Sequence, residues 1–120
     1  MVAPADVAAL ALALPEAKDD SADGRLVFAI GKKGFAWTWL ERTAPKKPRV
    51  ARPEVLAVRC ALERKEMLIE AAPAIYFDDD HYRGYPAVLV RLAAIEADEL
   101  AALLADASRM TAPRRGRKPG

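Results

Sequence analysis

The sequence predicts an α+β fold, a two-layer domain in which three helices pack on an antiparallel sheet of about five strands. Helical patterns lie at the start, middle and end of the chain, and consecutive strands joined by short turns indicate antiparallel pairing rather than alternating βαβ units. A chain of 120 residues has room for one such domain. We place this domain at residues 1–113 and interpret residues 114–120 as a basic, disordered tail.

The first two predicted helices are bounded by prolines. The first has Pro4 in its opening turn and ends before Pro15. Its apolar positions recur at helical spacing, at Val7, Leu10 and Leu14. The second covers residues 61–72 and ends before Pro73. We expect three of its side chains to point inward, those of Met67, Leu68 and Ala71.

The last helix has the clearest pattern of the three. Its apolar residues follow the spacing i, i+3, i+4, i+7, at Leu100, Leu103, Leu104 and Ala107. Acidic residues lie at its start and Arg109 near its end, as the helix dipole favours. Pro113 stops it.

Residues 25–42 predict a β-hairpin with a two-residue turn at Lys32-Lys33. In that register six apolar residues share one face, namely Leu26, Phe28, Ile30, Phe35, Trp37 and Trp39. We expect this face to pack under the helices, which makes both tryptophans core residues. The other face is thinner and more polar, with Val27, Ala29, Ala36 and Thr38.

The remaining segments are short. Residues 16–24 are interpreted as a loop or a short edge strand, and residues 42–53 as a basic loop, because prolines at 45, 48 and 53 argue against a helix or a central strand. Strands are predicted at residues 54–60, 74–77 and 85–92. In the first of these, Leu56, Val58 and Cys60 alternate onto one side, which predicts a buried thiol.

Charge and cysteine usage favour a cytoplasmic protein with no membrane association. The formal net charge is +2, and the tail alone contributes four positive charges, so the rest of the chain carries −2. A single cysteine excludes an internal disulfide and fits a reducing compartment. The apolar residues 7–15 lack the preceding positive charge of a signal peptide, and no segment approaches the roughly 20 apolar residues of a membrane span.

The stretch FDDDHYRG at residues 77–84 combines three aspartates with the only histidine. A calcium loop starting at Asp79 would place His81 and Arg83 at ligand positions and Val90 where a bidentate glutamate belongs, and a start at Asp78 fails as well. A transition-metal site needs more than one histidine or cysteine ligand. We therefore predict a solvated turn in which Gly84 relieves the backbone, and no metal.

No catalytic pattern stands out. A Cys60–His81 dyad would need an accessible thiolate, whereas the strand pattern buries Cys60. The chain has no phosphate-binding loop, no nucleophile elbow and no dinucleotide fingerprint. We expect a protein that is not an enzyme and has no cofactor.

Four segments together resemble the MmcQ/YjbR-like family: ALALPEA, FAIGKKGFAWTW, YFDDDHYRGYPAVLVRL and ADELAALLADASRMTAP. The resemblance spans about residues 5–113. It implies a small α+β domain whose layout is similar to that of type III secretion chaperones. It also implies DNA binding through a double-wing arrangement of hairpins, as proposed for this family, without established catalytic residues.

Basic turns give the DNA-binding hypothesis its candidate residues. These are Lys32 and Lys33 in the hairpin turn, Lys46, Lys47, Arg49 and Arg52 in the following loop, and Arg83 between the last strands. If they project from one edge of the sheet, they would form a strip suited to phosphates of DNA or RNA. The alternative is a module that binds a protein or a small molecule through the second, apolar sheet face.

Overall fold

The computed structural model describes residues 1–22 and 24–112, so the predicted tail at 114–120 lies outside the described residues. Within them the fold is α+β, as predicted. Its helices are α1 (Pro4–Leu12), α2 (Leu62–Ala71) and α3 (Ala97–Thr111). Its strands are β1 (Ala17–Asp19), β2 (Val27–Ile30), β3 (Lys33–Arg42), β4 (Arg49–Arg59), β5 (Tyr76–Phe77) and β6 (Ala87–Arg91).

All six strands belong to one antiparallel sheet in the order β1-β2-β3-β4-β6-β5. The sheet has one strand more than the predicted five, because residues of the first loop form the short edge strand β1, which pairs with β2. Helices α1 and α3 cover one face and enclose the main core, in which Val7 and Leu104 meet Phe28, Leu56 and other buried residues. We call this the helix face of the sheet.

Helix α3 matches its prediction, because all four apolar positions of its pattern are buried. Helix α2 corrects its prediction. Met67 is 66% exposed and Ala71 is also exposed, whereas Lys65 is buried. The apolar pattern of α2 did not predict its buried side correctly, because that side contacts backbone carbonyls through Lys65 as well as apolar groups.

The predicted hairpin turn is displaced by one residue, which shifts the strand pairing next to it by two residues. The turn consists of Gly31 and Lys32, with Ile30 opposite Lys33, and Gly31 has a φ of +61°, a left-handed conformation that glycine adopts without strain. Phe35 is an extra residue in a β-bulge, because Phe28 pairs with Ala36 while Ala29 pairs with Gly34. A one-residue shift moves every following side chain to the other face.

As a result, the two tryptophans do not lie under the helices. Phe28, Ile30 and Phe35 belong to the helix-face core, but Trp37 and Trp39 pack in a second cluster on the opposite face. The buried members of that cluster are Val55, Ala57, Tyr82, Ala87 and Leu89. The thin second face expected from Val27, Ala29, Ala36 and Thr38 is also wrong, since the last three are buried and Ala36 belongs to the helix-face core.

The predicted loop at 42–53 is shorter than expected, because residues 49–53 already belong to the central strand β4. Pro53 is accommodated at an irregularity: Thr38 pairs with Leu56, and the next β3 residue, Trp39, pairs with Arg52. Residues 53–55 therefore have no partner in β3, and a missing N–H leaves no gap in that ladder. Arg49 and Arg52 are strand residues rather than loop residues.

Candidate nucleic-acid interface

The face opposite the helices holds a concavity of about 450 Å³, which we call the basic hollow. Three arginines and the histidine line it, Arg25, Arg49, Arg59 and His81. The other lining residues are Val27, Gly34, Trp37, Leu40, Tyr82 and Tyr85. Its lining contains no aspartate or glutamate among the described residues, so its electrostatic character is positive.

The three arginines reach the hollow from different parts of the sheet. Arg25 precedes β2 in a tight turn that two backbone hydrogen bonds with Ala22 close, at 3.0 and 3.1 Å. Arg59 ends β4 and donates through Nε to the carbonyl of Gly34 at 3.0 Å. Arg49 begins β4, and its Nη2 donates to Nδ1 of His81 at 3.1 Å. The sheet therefore brings together cations that are far apart in sequence.

Aromatic rings form the wall beside these charges. The guanidinium carbon of Arg59 lies 5.4 Å from the ring centroid of Trp37 and 5.9 Å from that of Tyr85, within the range of cation–π attraction. Trp37 donates its indole N–H to the Tyr82 hydroxyl at 2.9 Å. Tyr85 is 40% exposed, so part of this aromatic surface is open to a ligand.

The Tyr82 hydroxyl is held in its neutral form. Burial raises its pKa above the usual value, and the nearby Asp79 carboxylate raises it further, against the opposing effect of the Trp37 hydrogen bond. Since the hydroxyl oxygen accepts from Trp37, its own proton can be donated elsewhere. It is thus a neutral hydrogen-bond donor at the hollow.

Buried Lys65 fixes the segment that carries His81, Tyr82 and Tyr85. Its Nζ donates to the carbonyls of Tyr82 at 2.6 Å and Tyr85 at 3.0 Å, and lies 3.1 Å from Oδ1 of Asp78. With 3% of its side chain exposed, Lys65 links α2 to the turn between β5 and β6. The predicted turn at FDDDHYRG is confirmed, with Gly84 at a φ of +76°.

The aspartates of that turn point to structural partners. Asp79 accepts from the Trp39 indole at 2.9 Å and from the Tyr82 amide at 2.8 Å, and Asp80 pairs with Arg83 at 2.8 Å. No group of three or more His, Cys, Asp or Glu residues in the described chain is arranged to hold a metal ion. Burial raises the pKa of the Cys60 thiol, which belongs to the helix-face core, and this disfavours the thiolate form. His81 is exposed.

The structure distributes the predicted nucleic-acid residues over β3 and its neighbours. Lys32 lies in the β2–β3 turn and Lys33 begins β3, whereas Lys46 and Lys47 lie in the β3–β4 turn. The two pairs therefore occupy opposite ends of β3 rather than one edge. All four are exposed. Nine residue steps along β3 correspond to about 30 Å.

Of the other three predicted residues, only Arg49 lines the basic hollow. Arg52 pairs with Glu41 at 2.7 Å, and Arg83 pairs with Asp80. The lining of the hollow includes Gly34, which is next to Lys33, and Arg49, which follows the β3–β4 turn. The hollow therefore lies between the two lysine pairs.

Sequence analysis missed Arg25, Arg59, Tyr85 and the role of Trp37. The signal was present in part, because Arg59 alternates with Val58 and therefore faces away from the helices. The wrong hairpin register placed Trp37 on the helix face, which separated it from Arg59.

The fold and the hollow define a small α+β protein with a basic, aromatic-lined concavity on the open side of an antiparallel sheet. The family model for YjbR matches residues 12–110, and the chain belongs to the YjbR family. Uncharacterised proteins of Mycobacterium bovis and Mycobacterium tuberculosis are 39% identical to it, with 71% of this chain and 71% of each relative covered.

A solved structure shows the same fold. The crystal structure of a Deinococcus radiodurans protein with a DUF419 domain is similar to this chain with a TM-score of 0.62 and 24% sequence identity. The similarity covers 87% of this chain and 74% of that one. In the described residues, no helix has the length and apolar character needed to cross a membrane.

Proposed function

We propose that the protein is a non-enzymatic nucleic-acid-binding protein that holds single-stranded DNA or RNA along β3 and the basic hollow. The observation that carries the proposal is the lining of the hollow, in which three arginines and no carboxylate surround exposed aromatic surface. Proteins that bind single strands combine a positive groove for the backbone with aromatic rings for the bases. Arg49, Arg59 and Tyr85 supply these two elements here.

The dimensions favour a single strand over a duplex. A volume of about 450 Å³ is in the range of sites for one small molecule, roughly 300–1,000 Å³. It suits one unpaired nucleotide and is too small for a double helix. The lysine pairs at the two ends of β3 extend the positive surface beyond the hollow, and their turns are where the wings implied by the family resemblance would lie.

Neighbouring acids do not oppose this path strongly. An adjacent concavity shares His81 with the basic hollow and is lined by four carboxylates, those of Glu41, Asp78, Asp79 and Asp80. Each already has a positive or hydrogen-bonding partner within the described chain, in Arg52, Lys65, Trp39 and Arg83 respectively. We therefore expect the phosphates of a bound strand to lie in the basic hollow, beside its arginines, rather than in the adjacent concavity.

The test measures fluorescence anisotropy of a labelled single-stranded DNA, its duplex and the matching RNA, titrated with the 120-residue protein at roughly 50 and 200 mM salt. We expect the single strands to bind more tightly than the duplex and all binding to weaken with salt. Tyr85→Ala should cost about 1–3 kcal/mol of binding free energy through lost stacking. Arg49→Gln should weaken binding and reduce the salt dependence.

Arg64→Gln is the matched control, since Arg64 pairs with Asp106 in α3, away from the basic hollow. Binding that falls equally in this variant and in Arg49→Gln would reveal general attraction to a cationic protein. Absence of binding to all three nucleic acids at the lower salt concentration would refute the proposed function.

A small anionic molecule is the second candidate ligand, and the size of the hollow favours it over a protein partner. The apolar sheet face expected to receive a protein is not open, because Ala29, Ala36 and Thr38 are buried. Thermal-shift measurements with nucleoside mono-, di- and triphosphates would detect such a ligand by a raised Tm.

A further inference from the structure

Arg25 differs from the other two arginines of the basic hollow. Its Nε is shielded from solvent and has no hydrogen-bond partner among the described residues. Arg49 donates to His81 and Arg59 donates to Gly34, so these two are already held in place. A buried guanidinium N–H without an acceptor is costly, so the Arg25 side chain, which lines the hollow, would gain from turning toward an oxygen of a ligand bound there.

The charge of the hollow exceeds what one phosphate of a continuous strand can match. Three guanidinium groups line it, whereas an internal phosphodiester carries a single negative charge. A terminal phosphomonoester carries about −1.5 to −2 at neutral pH and presents three strong acceptor oxygens. Arginine is also the side chain best shaped to donate two parallel hydrogen bonds to such a group.

We infer that the basic hollow binds a phosphomonoester, either at the end of a nucleic-acid strand or on a free nucleotide, with Arg25 donating to a phosphate oxygen. The inference rests on the proposed function and narrows the ligand of the hollow from any single strand to a nucleotide that carries a phosphomonoester. Tyr85 and the Arg59 guanidinium offer the nucleotide's base a planar surface beside the phosphate.

The experiment compares one single-stranded DNA sequence with a 5′-phosphate, a 3′-phosphate or hydroxyl groups at both ends. Each competes with a labelled strand for the 120-residue protein in an anisotropy assay, and adenosine monophosphate serves as the free nucleotide. We expect one phosphorylated end to improve binding by about 10-fold or more over hydroxyl ends. Arg25→Gln should abolish this preference, because it should weaken binding of the phosphorylated strand more than binding of the hydroxyl strand.

Arg64→Gln controls for loss of one positive charge, and a thermal melt of each variant controls for folding. Equal affinity for all three strands, or a phosphate preference that Arg25→Gln retains, would overturn the inference while leaving the proposed function intact. If no strand binds, the proposed function fails. In that case adenosine monophosphate that binds the parent protein and not Arg25→Gln supports the phosphomonoester site, and failure to bind it overturns the site as well.

Discussion

Lys65 is a buried cation of α2 that links this helix to the turn between β5 and β6. Its ammonium group serves two carbonyls and Asp78, all in the turn that carries the residues of the basic hollow. Lys65→Met would keep the apolar stem and leave these three acceptors without their donor. We expect a loss of about 3 kcal/mol in the free energy of unfolding, because removing one partner strands the others.

Urea denaturation of Lys65→Met against the parent protein measures this cost. Lys18→Met is the control, because Lys18 is exposed on the edge strand β1 and should change stability by less than about 0.5 kcal/mol. A Lys65→Met protein as stable as the Lys18→Met protein would mean that the buried contacts are not what holds the turn.

Tyr76 should make the free energy of unfolding fall as pH rises into the alkaline range. Burial and the hydrogen bond that its hydroxyl donates to Glu99, at 2.6 Å, raise its pKa far above the usual value of 10.0. The unfolded chain therefore loses the phenol proton first, and stability declines as pH rises above about 10. We expect Tyr76→Phe to remove this component. Above about pH 10, the slope of the free energy of unfolding against pH should then be shallower than in the parent protein by up to about 1.4 kcal/mol per pH unit.

The measurement is urea denaturation of both proteins at several pH values from 7 to about 11. At neutral pH, Tyr76→Phe should already be less stable by about 1–2 kcal/mol, since Glu99 loses its donor. Parallel pH profiles for the two proteins would contradict the shifted pKa of Tyr76.

At the scale of elements, the turn of the β2–β3 hairpin depends on one glycine. Gly31 has a φ of +61°, where a side chain adds strain, while Gly34 has no such conformation and a Cβ there would meet Trp37 at an ordinary 3.5 Å. We expect Gly31→Ala to cost about 1–2 kcal/mol of stability. Gly34→Ala, in the same hairpin, should cost clearly less, and thermal denaturation of the two variants compares them directly.

The same hairpin shows why sequence patterns predicted the elements better than the site. Alternation correctly placed Leu56, Val58 and Cys60 on the helix face, because β4 is regular there. It failed for Trp37, because the bulge at Phe35 moves all later residues to the other face, whereas the displaced turn changes the pairing by two residues and leaves the faces unchanged. Neither feature has a strong local signature, since GKKG permits more than one two-residue turn.

Tertiary contacts explain the other differences. Proline at position 53 argued against a central strand, but the β3–β4 irregularity leaves residues 53–55 outside that ladder, so the strand continues. The inward residues predicted for α2 did not include Lys65, but carbonyls from a turn 17 residues away hold this side chain in the interior. Arg25 and Arg59 come together only when the sheet has formed, so the basic hollow could not be located from local patterns.

At the scale of the whole molecule, charge is separated along the chain. The formal net charge of +2 includes four cations in residues 114–120, and the remainder carries −2. A mildly acidic body that binds nucleic acid must concentrate its positive charge locally, which is the character of the basic hollow. A cationic tail can instead attract phosphates of any sequence or strand form, so the two contributions must be separated by experiment.

Replacing Arg114, Arg115, Arg117 and Lys118 with glutamine separates them without shortening the chain. Each lost phosphate contact should lower the slope of log affinity against log salt by about 0.7 for single-stranded DNA and by about 0.9 for the duplex. The further effect of Arg49→Gln should persist in this background, because the hollow does not depend on the tail for its charge. If instead neutralising the tail abolishes all binding, attraction by a polycation accounts for the interaction and the folded domain has no part in it.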